Sequence, residues 1–159
     1  MSSYWLMKTE PDKFSFEDLI ACPKKTDHWD GIRNYQARNL MRDQFKKGDL
    51  VFIYHSRIKK PAVVGVAQVV KEAYPDHTAL DESGEYFDPK SLEAGASRWV
   101  MVDVKAKERF SEAVTLEKIR QLPALGKMAL VQKGQRLSIQ PVTAKEWQTI
   151  YKLGKALQV

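Results

Sequence analysis

The chain has 159 residues, 43% of them apolar and 29% charged, with a formal net charge of +6. That length can bury a sizeable core without staples, and the single Cys22 excludes an internal disulfide framework or a cysteine metal cluster. The positive surplus, with an isoelectric point near 9.3, points to polyanionic partners, because phosphates recruit Lys and Arg and release counterions.

Residues 4–8, YWLMK, read as a first strand. Ser15 with Asp18 resembles a helix start, which FEDLIAC continues for about two turns. In the segment that follows, HWDGIRNYQARN (28–39), rings, amides and guanidinium groups alternate almost without an aliphatic spacer. Its continuation ARNLMRDQF has Leu40, Met41 and Phe45 at helical spacing and ends near Gly48. DLVFIYH (49–55) is a continuous apolar run, the pattern of a central strand. PAVVGVAQVVKEAY (61–74) is a second long strand, with Gly65 marking a bulge. Residues 75–97 read as a long polar loop. RWVMVDVKAKERF (98–110) is a further strand, with Val100, Val102 and Val104 on one face and Trp99, Met101 and Asp103 on the other. Thr115 caps LEKIRQL, which Pro123 stops. Thr143 and Glu146 form a capping box, with Val142 stapling toward Trp147, for a last helix ending at Gly154.

About five strands and four short helices result, with no regular βαβ alternation. This predicts an α+β domain around a curved or barrel-like sheet. No apolar run approaches the roughly 18 residues of a membrane span. The N-terminus also lacks a secretory pattern. The expectation is a cytoplasmic protein, nuclear in a eukaryote, with no membrane partner and a monomeric default. His28, His55 and His77 are scattered in dissimilar contexts, so no metal or other cofactor is expected.

The 28–39 segment suits the recognition of a base. Asn and Gln side chains match a base edge, aromatic rings offer stacking faces, and arginines reach phosphate or stack. Trp29-Asp30-Gly31 reads as a turn, with Asp30 holding it and Gly31 tolerating positive φ. Two strand ends, Lys8-Thr9-Glu10-Pro11 and Tyr54-His55-Ser56, present further polar groups. Arg136 to Pro141 is an extended stretch of polar groups interleaved with apolar ones. Arg57, Lys59 and Lys60 form a basic cluster.

In this order, YWLMKTEP, WDGIRNYQARN, FIYHS, VVKEAYPDHT, RWVMVDV and RLSIQPV resemble the EVE domain family, from Tyr4 to about Leu153. Thr9 departs from the more usual serine at its position. The resemblance implies a PUA-like twisted β-barrel of about five to six strands with short helices around it, as a single domain over residues 1–159. It also implies a reader of a modified base in DNA or RNA, a cytosine or adenine derivative flipped out of its stack. Thr9, Trp29, Asn34, Tyr35, Gln36, Tyr54, Ser56 and Gln140 are the candidates for holding the base. Lys8, Arg33, Arg38, Arg57 and Arg136 are those for phosphate.

Two rival readings remain open. One is a nucleoside amidohydrolase like the related ASCH proteins, using Lys8, Thr9 and Glu10. Alternation along a strand argues against it, since adjacent residues point to opposite faces. The other is a general RNA-binding module.

Overall fold

Two central strands bury side chains on both faces, and the rest of the chain is arranged around them. In β1 (Tyr4–Thr9), Trp5 and Met7 join one apolar cluster and Leu6 the other. In β3 (Leu50–His55), Val51 and Ile53 face the first cluster, and Phe52 and Tyr54 the second. A strand covered on both sides has no polar face to show, which is why 49–55 is continuously apolar. The two strands are parallel, with Lys8 beside Tyr54 and Thr9 beside His55, so they end together.

The computed structural model describes residues 3–159. Their seven strands form one mixed sheet in the order β2-β5-β4-β3-β1-β6, with β7 also paired to β5. The remaining strands are β2 (Thr26–Trp29), β4 (Ala62–Pro75), β5 (Val100–Thr115), β6 (Ile139–Val142) and β7 (Ala156–Gln158). The long β5 pairs β4 along one edge, and its other edge takes β2 at Val102–Lys105 and β7 at Glu108–Phe110. The PUA-like α+β expectation holds, but the closed barrel is corrected. β2 and β6 end the strand order and do not pair with each other. Helices cover both faces instead: α1 (Phe16–Ala21) and α2 (Tyr35–Asp43) pack on the first cluster, and α4 (Leu116–Arg120) and α5 (Ala144–Gly154) on the second.

Local signals explain most elements. Ser15 and Thr143 make the expected capping boxes of α1 and α5. Gly65 lies at the slip in register between Ile53 and Tyr54. A Cβ there would fall 2.4 Å from the Phe16 ring and 2.7 Å from the Glu108 carbonyl oxygen, so the bulge and the helix packing both require glycine. Three elements escaped the pattern: β2, β7, and α3 (Pro89–Ala94) inside the stretch read as a loop. No helix of the described residues is long and apolar enough to cross a membrane.

Asp49 ties the start of β3 to β1. It is 2% exposed and accepts from the Trp5 indole at 2.9 Å and from the Ser3 and Lys46 N–H groups, each at 3.0 Å. Each buried donor left unpaired costs about 1–3 kcal/mol. Asp49→Ala is therefore expected to lower stability by about 2–4 kcal/mol in urea unfolding, and Asp49→Asn by less, since it keeps one acceptor oxygen.

Candidate functional site

Where β1 and β3 end, a cleft of about 810 Å³ opens between them and the turn that follows β2. That volume suits one small ligand. Three short segments border it: Lys8-Thr9-Glu10, Trp29 to Ile32, and Ser56-Arg57. Tyr86, Gln135, Arg136 and Ser138 also border it, with Lys13, Phe14, Asp27, His28 and Glu85. All three of Lys8, Thr9 and Glu10 border it, so the objection from strand alternation is corrected: the cleft lies across the strand end, not on one face.

Pairing of β2 with β5 sets Trp29 opposite Val102. Its ring is 7% exposed and meets Phe14 edge-on, at 6.0 Å between centroids and 82°. Trp29 thus belongs to the core and also borders the cleft. Gly31 then turns the chain at φ 78°. The Tyr86 ring lies 2.7 Å from where a Gly31 Cβ would be, so a bare backbone forms the seat for this second aromatic.

Asp27 and Asp30 flank His28, whose ring nitrogens lie 3.4 Å from a carboxylate oxygen of each. Burial pushes the Asp30 carboxyl above its usual range, against the opposing pull of His28. Lys13 is occupied by Glu85 at 2.8 Å. Lys8 forms no salt bridge among the described residues, and half-burial draws its ammonium below the usual lysine range. Arg57, at φ 55°, reaches out with an 80% exposed side chain, 4.0 Å from Glu10. Arg136 is exposed on the rim. Among the hydroxyls, Thr9 donates to the Phe14 carbonyl at 2.6 Å, and Ser56 donates to the Thr9 carbonyl at 3.4 Å.

Of the base-holding candidates, the structure brings Thr9, Trp29 and Ser56 to the cleft, and of the phosphate candidates Lys8, Arg57 and Arg136. The others lie off it, for identifiable reasons. Asn34 caps α2, accepting from the Ala37 N–H at 3.0 Å, which carries Tyr35 and Gln36 into the first helical turn and outward. Tyr35 stacks on Trp99 at 4.9 Å and accepts from Arg98. Arg38 donates to the Arg98 carbonyl and lies over the Tyr35 ring. Tyr54 is buried in the second cluster. Gln140 is 1% exposed, donates to the Leu137 carbonyl, and leaves its own amide oxygen unpaired.

Arg33 lies off the cleft and is engaged within the chain. Its guanidinium donates to the Tyr86 carbonyl at 2.7 Å, the Ile32 carbonyl and the Asp76 carboxylate each at 3.0 Å, and the Thr78 hydroxyl at 3.2 Å. Sequence reasoning missed Phe14, His28, Asp30 and Tyr86 as cleft residues. Tyr86 sits in GEYFDP, an aromatic pair in an otherwise polar stretch, and no other signal marks it. A second cleft, of about 470 Å³, lies across the β3–β4 connection and is lined by Lys59, Lys60 and Arg120 with Glu117. Among the described residues no group of three or more His, Cys, Asp or Glu is placed to hold a metal ion.

The EVE domain family model matches residues 3–153. The chain belongs to the EVE domain family. This EVE domain is 43% identical to thymocyte nuclear protein 1 of Mus musculus over 170 residues, which cover 96% of the chain and 74% of that protein. A hypothetical protein from Leishmania major is similar at 46% identity and a TM-score of 0.90, covering 98% of this chain and 96% of that one. Human THYN1 protein, solved in complex with 5-methylcytosine containing DNA, matches at 41% identity and a TM-score of 0.90, covering 97% and 98%. An ASCH protein from Zymomonas mobilis, at 11% identity and a TM-score of 0.53, shares the fold alone.

Beside the cleft, Asp88 anchors the Trp99–Tyr35 stack of the EVE domain. It accepts from Arg98 at 2.7 Å, the Ser91 hydroxyl at 2.7 Å and the Trp99 indole at 2.8 Å. The Arg98 guanidinium, with help from Ser91 and Trp99 and against burial, holds the carboxyl well below the usual range. A depressed carboxyl contributes stability that is present above its unfolded pKa, about 3.9, and is lost as pH falls below it. Urea unfolding at pH 7 and at pH 3 is expected to show a smaller stability difference in Asp88→Asn than in the unmodified protein.

Proposed function

We propose that this chain is a DNA-binding reader, acting as one EVE/PUA-like domain, that holds a single modified base flipped from its strand. The observation that carries the reading is Trp29 at the border of a cleft of about 810 Å³, with the exposed cations Arg57 and Arg136 on its rim. It gains support from the human relative solved with 5-methylcytosine containing DNA, 41% identical across nearly the whole chain. Trp29 and Tyr86 stack on or bracket the base, Thr9 and Ser56 offer hydroxyls, and Lys8, Arg57 and Arg136 meet the phosphates where the strand crosses the rim. Flipping costs a few kcal/mol, and stacking and edge contacts offset it.

The charge pattern supports this division of labour. The bordering acids and bases are nearly balanced, which fits an uncharged base inside, while Arg57 and Arg136 project from the rim.

One observation favours a second reading, a nucleoside amidohydrolase: Lys8, Thr9 and Glu10 share the cleft, and Lys8 is half-buried with no ion pair among the described residues. Against it, the Thr9 hydroxyl is spent on the Phe14 carbonyl, and Glu10 sits 3.9 Å from Lys13 and 4.0 Å from Arg57. Incubation with acylated and alkylated nucleosides followed by mass analysis separates the two readings, and turnover would replace the reader proposal.

Stacking is worth about 1–3 kcal/mol per base. Trp29→Ala is therefore expected to weaken binding to a duplex with one 5-methylcytosine by about tenfold or more. The loss on the unmodified duplex should be smaller, with both read by fluorescence anisotropy at fixed salt. Equal losses on the two duplexes would remove the base from the cleft. Replacing Arg57 and Arg136 together by Ser is expected to weaken binding to all sequences alike. It should also reduce the slope of log K against log salt by about 2, roughly one for each phosphate no longer neutralised.

A further inference from the structure

A cleft that accepts 5-methylcytosine faces an abundant decoy. Thymine carries the same 5-methyl group and nearly the same outline. Stacking on an indole and contact with the methyl group cannot separate the two. They differ at position 4, where 5-methylcytosine has an amino donor and thymine a carbonyl acceptor, and at N3, which accepts in one and donates in the other. Discrimination therefore requires a protein group that reads one of these positions, and an acceptor facing position 4 is one that does so.

The carboxylates bordering the cleft are not equally free. Asp27 already accepts the His28 N–H at 2.8 Å, and Glu85 accepts from Lys13 at 2.8 Å. Glu10 lies at the Arg57 end, within 4.0 Å of two cations. Asp30 differs. It directly follows Trp29, its side chain is 27% exposed, and the His28 Nε2 beside it lies at 3.4 Å, longer than a good hydrogen bond. Desolvation of this carboxylate makes an unmatched partner costly, since opposing a carbonyl leaves both acceptors without a proton.

Resting on the base-reader proposal, we infer that Asp30 is the specificity residue that distinguishes a 4-amino-pyrimidine from its 4-oxo counterpart. Its carboxylate accepts from the exocyclic amino group of 5-methylcytosine and repels O4 of thymine. Cytosine and 5-methylcytosine share the amino group, so Asp30 does not sense the methyl, which the apolar wall must do. The two requirements are met by neighbouring residues, Trp29 and Asp30, on one turn.

The test uses the full chain and duplexes identical except at one position, which holds 5-methylcytosine, thymine or an abasic residue. An abasic site stands opposite in every case, so no base pair has to be broken. Anisotropy at fixed salt is expected to show the unmodified protein favouring 5-methylcytosine over thymine by about tenfold or more. In Asp30→Asn the ratio should fall to within about twofold, because an amide offers its NH₂ to O4 as readily as its oxygen to the amino group. The inference is overturned if the unmodified protein binds thymine as tightly as 5-methylcytosine, a measurement that needs no variant. It is also overturned if Asp30→Asn, with an unchanged near-ultraviolet circular dichroism spectrum, keeps the original ratio. Equal binding of all three duplexes, the abasic one included, would instead sink the base-reader proposal itself.

Discussion

The carboxylate of Asp76 is the contact on which the geometry of the cleft depends. It is fully buried and lies where β4 gives way to a 3₁₀ turn. It accepts from the Gly31 N–H, from Arg33, and from both the N–H and hydroxyl of Thr78. Burial alone would raise its pKa, but these donors hold it below the usual range. A buried carboxylate persists only with such a set, and removing one member leaves an uncompensated charge. Through it the Trp29-Asp30-Gly31 turn is fastened to the segment that carries Tyr86. Arg33 repeats the fastening from its own side by gripping the Tyr86 carbonyl twice, at 3.1 and 2.7 Å.

This explains how a string so rich in rings and guanidinium groups divides its tasks. Trp29, Asp30 and Gly31 border the cleft, Arg33 anchors, Asn34 caps, and Tyr35 and Arg38 build a stack with Trp99 and Arg98 alongside. A side chain's chemistry states what it is able to bind. Whether it meets a ligand or another part of the chain is decided by its place relative to the helix start at residue 35. Arginine is especially ambiguous in this respect, since its fork serves a buried carboxylate as well as a phosphate.

The parts of the fold legible in sequence were those with strong local periodicity. The strands at β1, β3, β4 and β5, the bulge at Gly65 and the capping boxes at Ser15 and Thr143 all follow from patterns within a few residues. β2 was not legible, because Thr26–Trp29 is four residues long and owes its conformation to pairing with β5, more than seventy positions away. Closure of the sheet was equally hidden. Alternation says that a strand has two faces, but not whether both are covered by helices, as in β1 and β3. In the cleft, residues at strand ends and Trp29 were found from their type. Phe14, His28 and Tyr86 were missed because only tertiary packing brings them there.

An open sheet must still deal with its outer strands, which offer unpaired backbone groups to any passing chain. At one end β6 is four residues long and contains Pro141, which has no N–H to give. At the other, β2 is as short and holds Asp27, a charge that another strand would have to bury. The third outer strand, β7, spans three residues, too few to template a ladder. The protein thus gains two helix-covered faces while its outermost strands stay short.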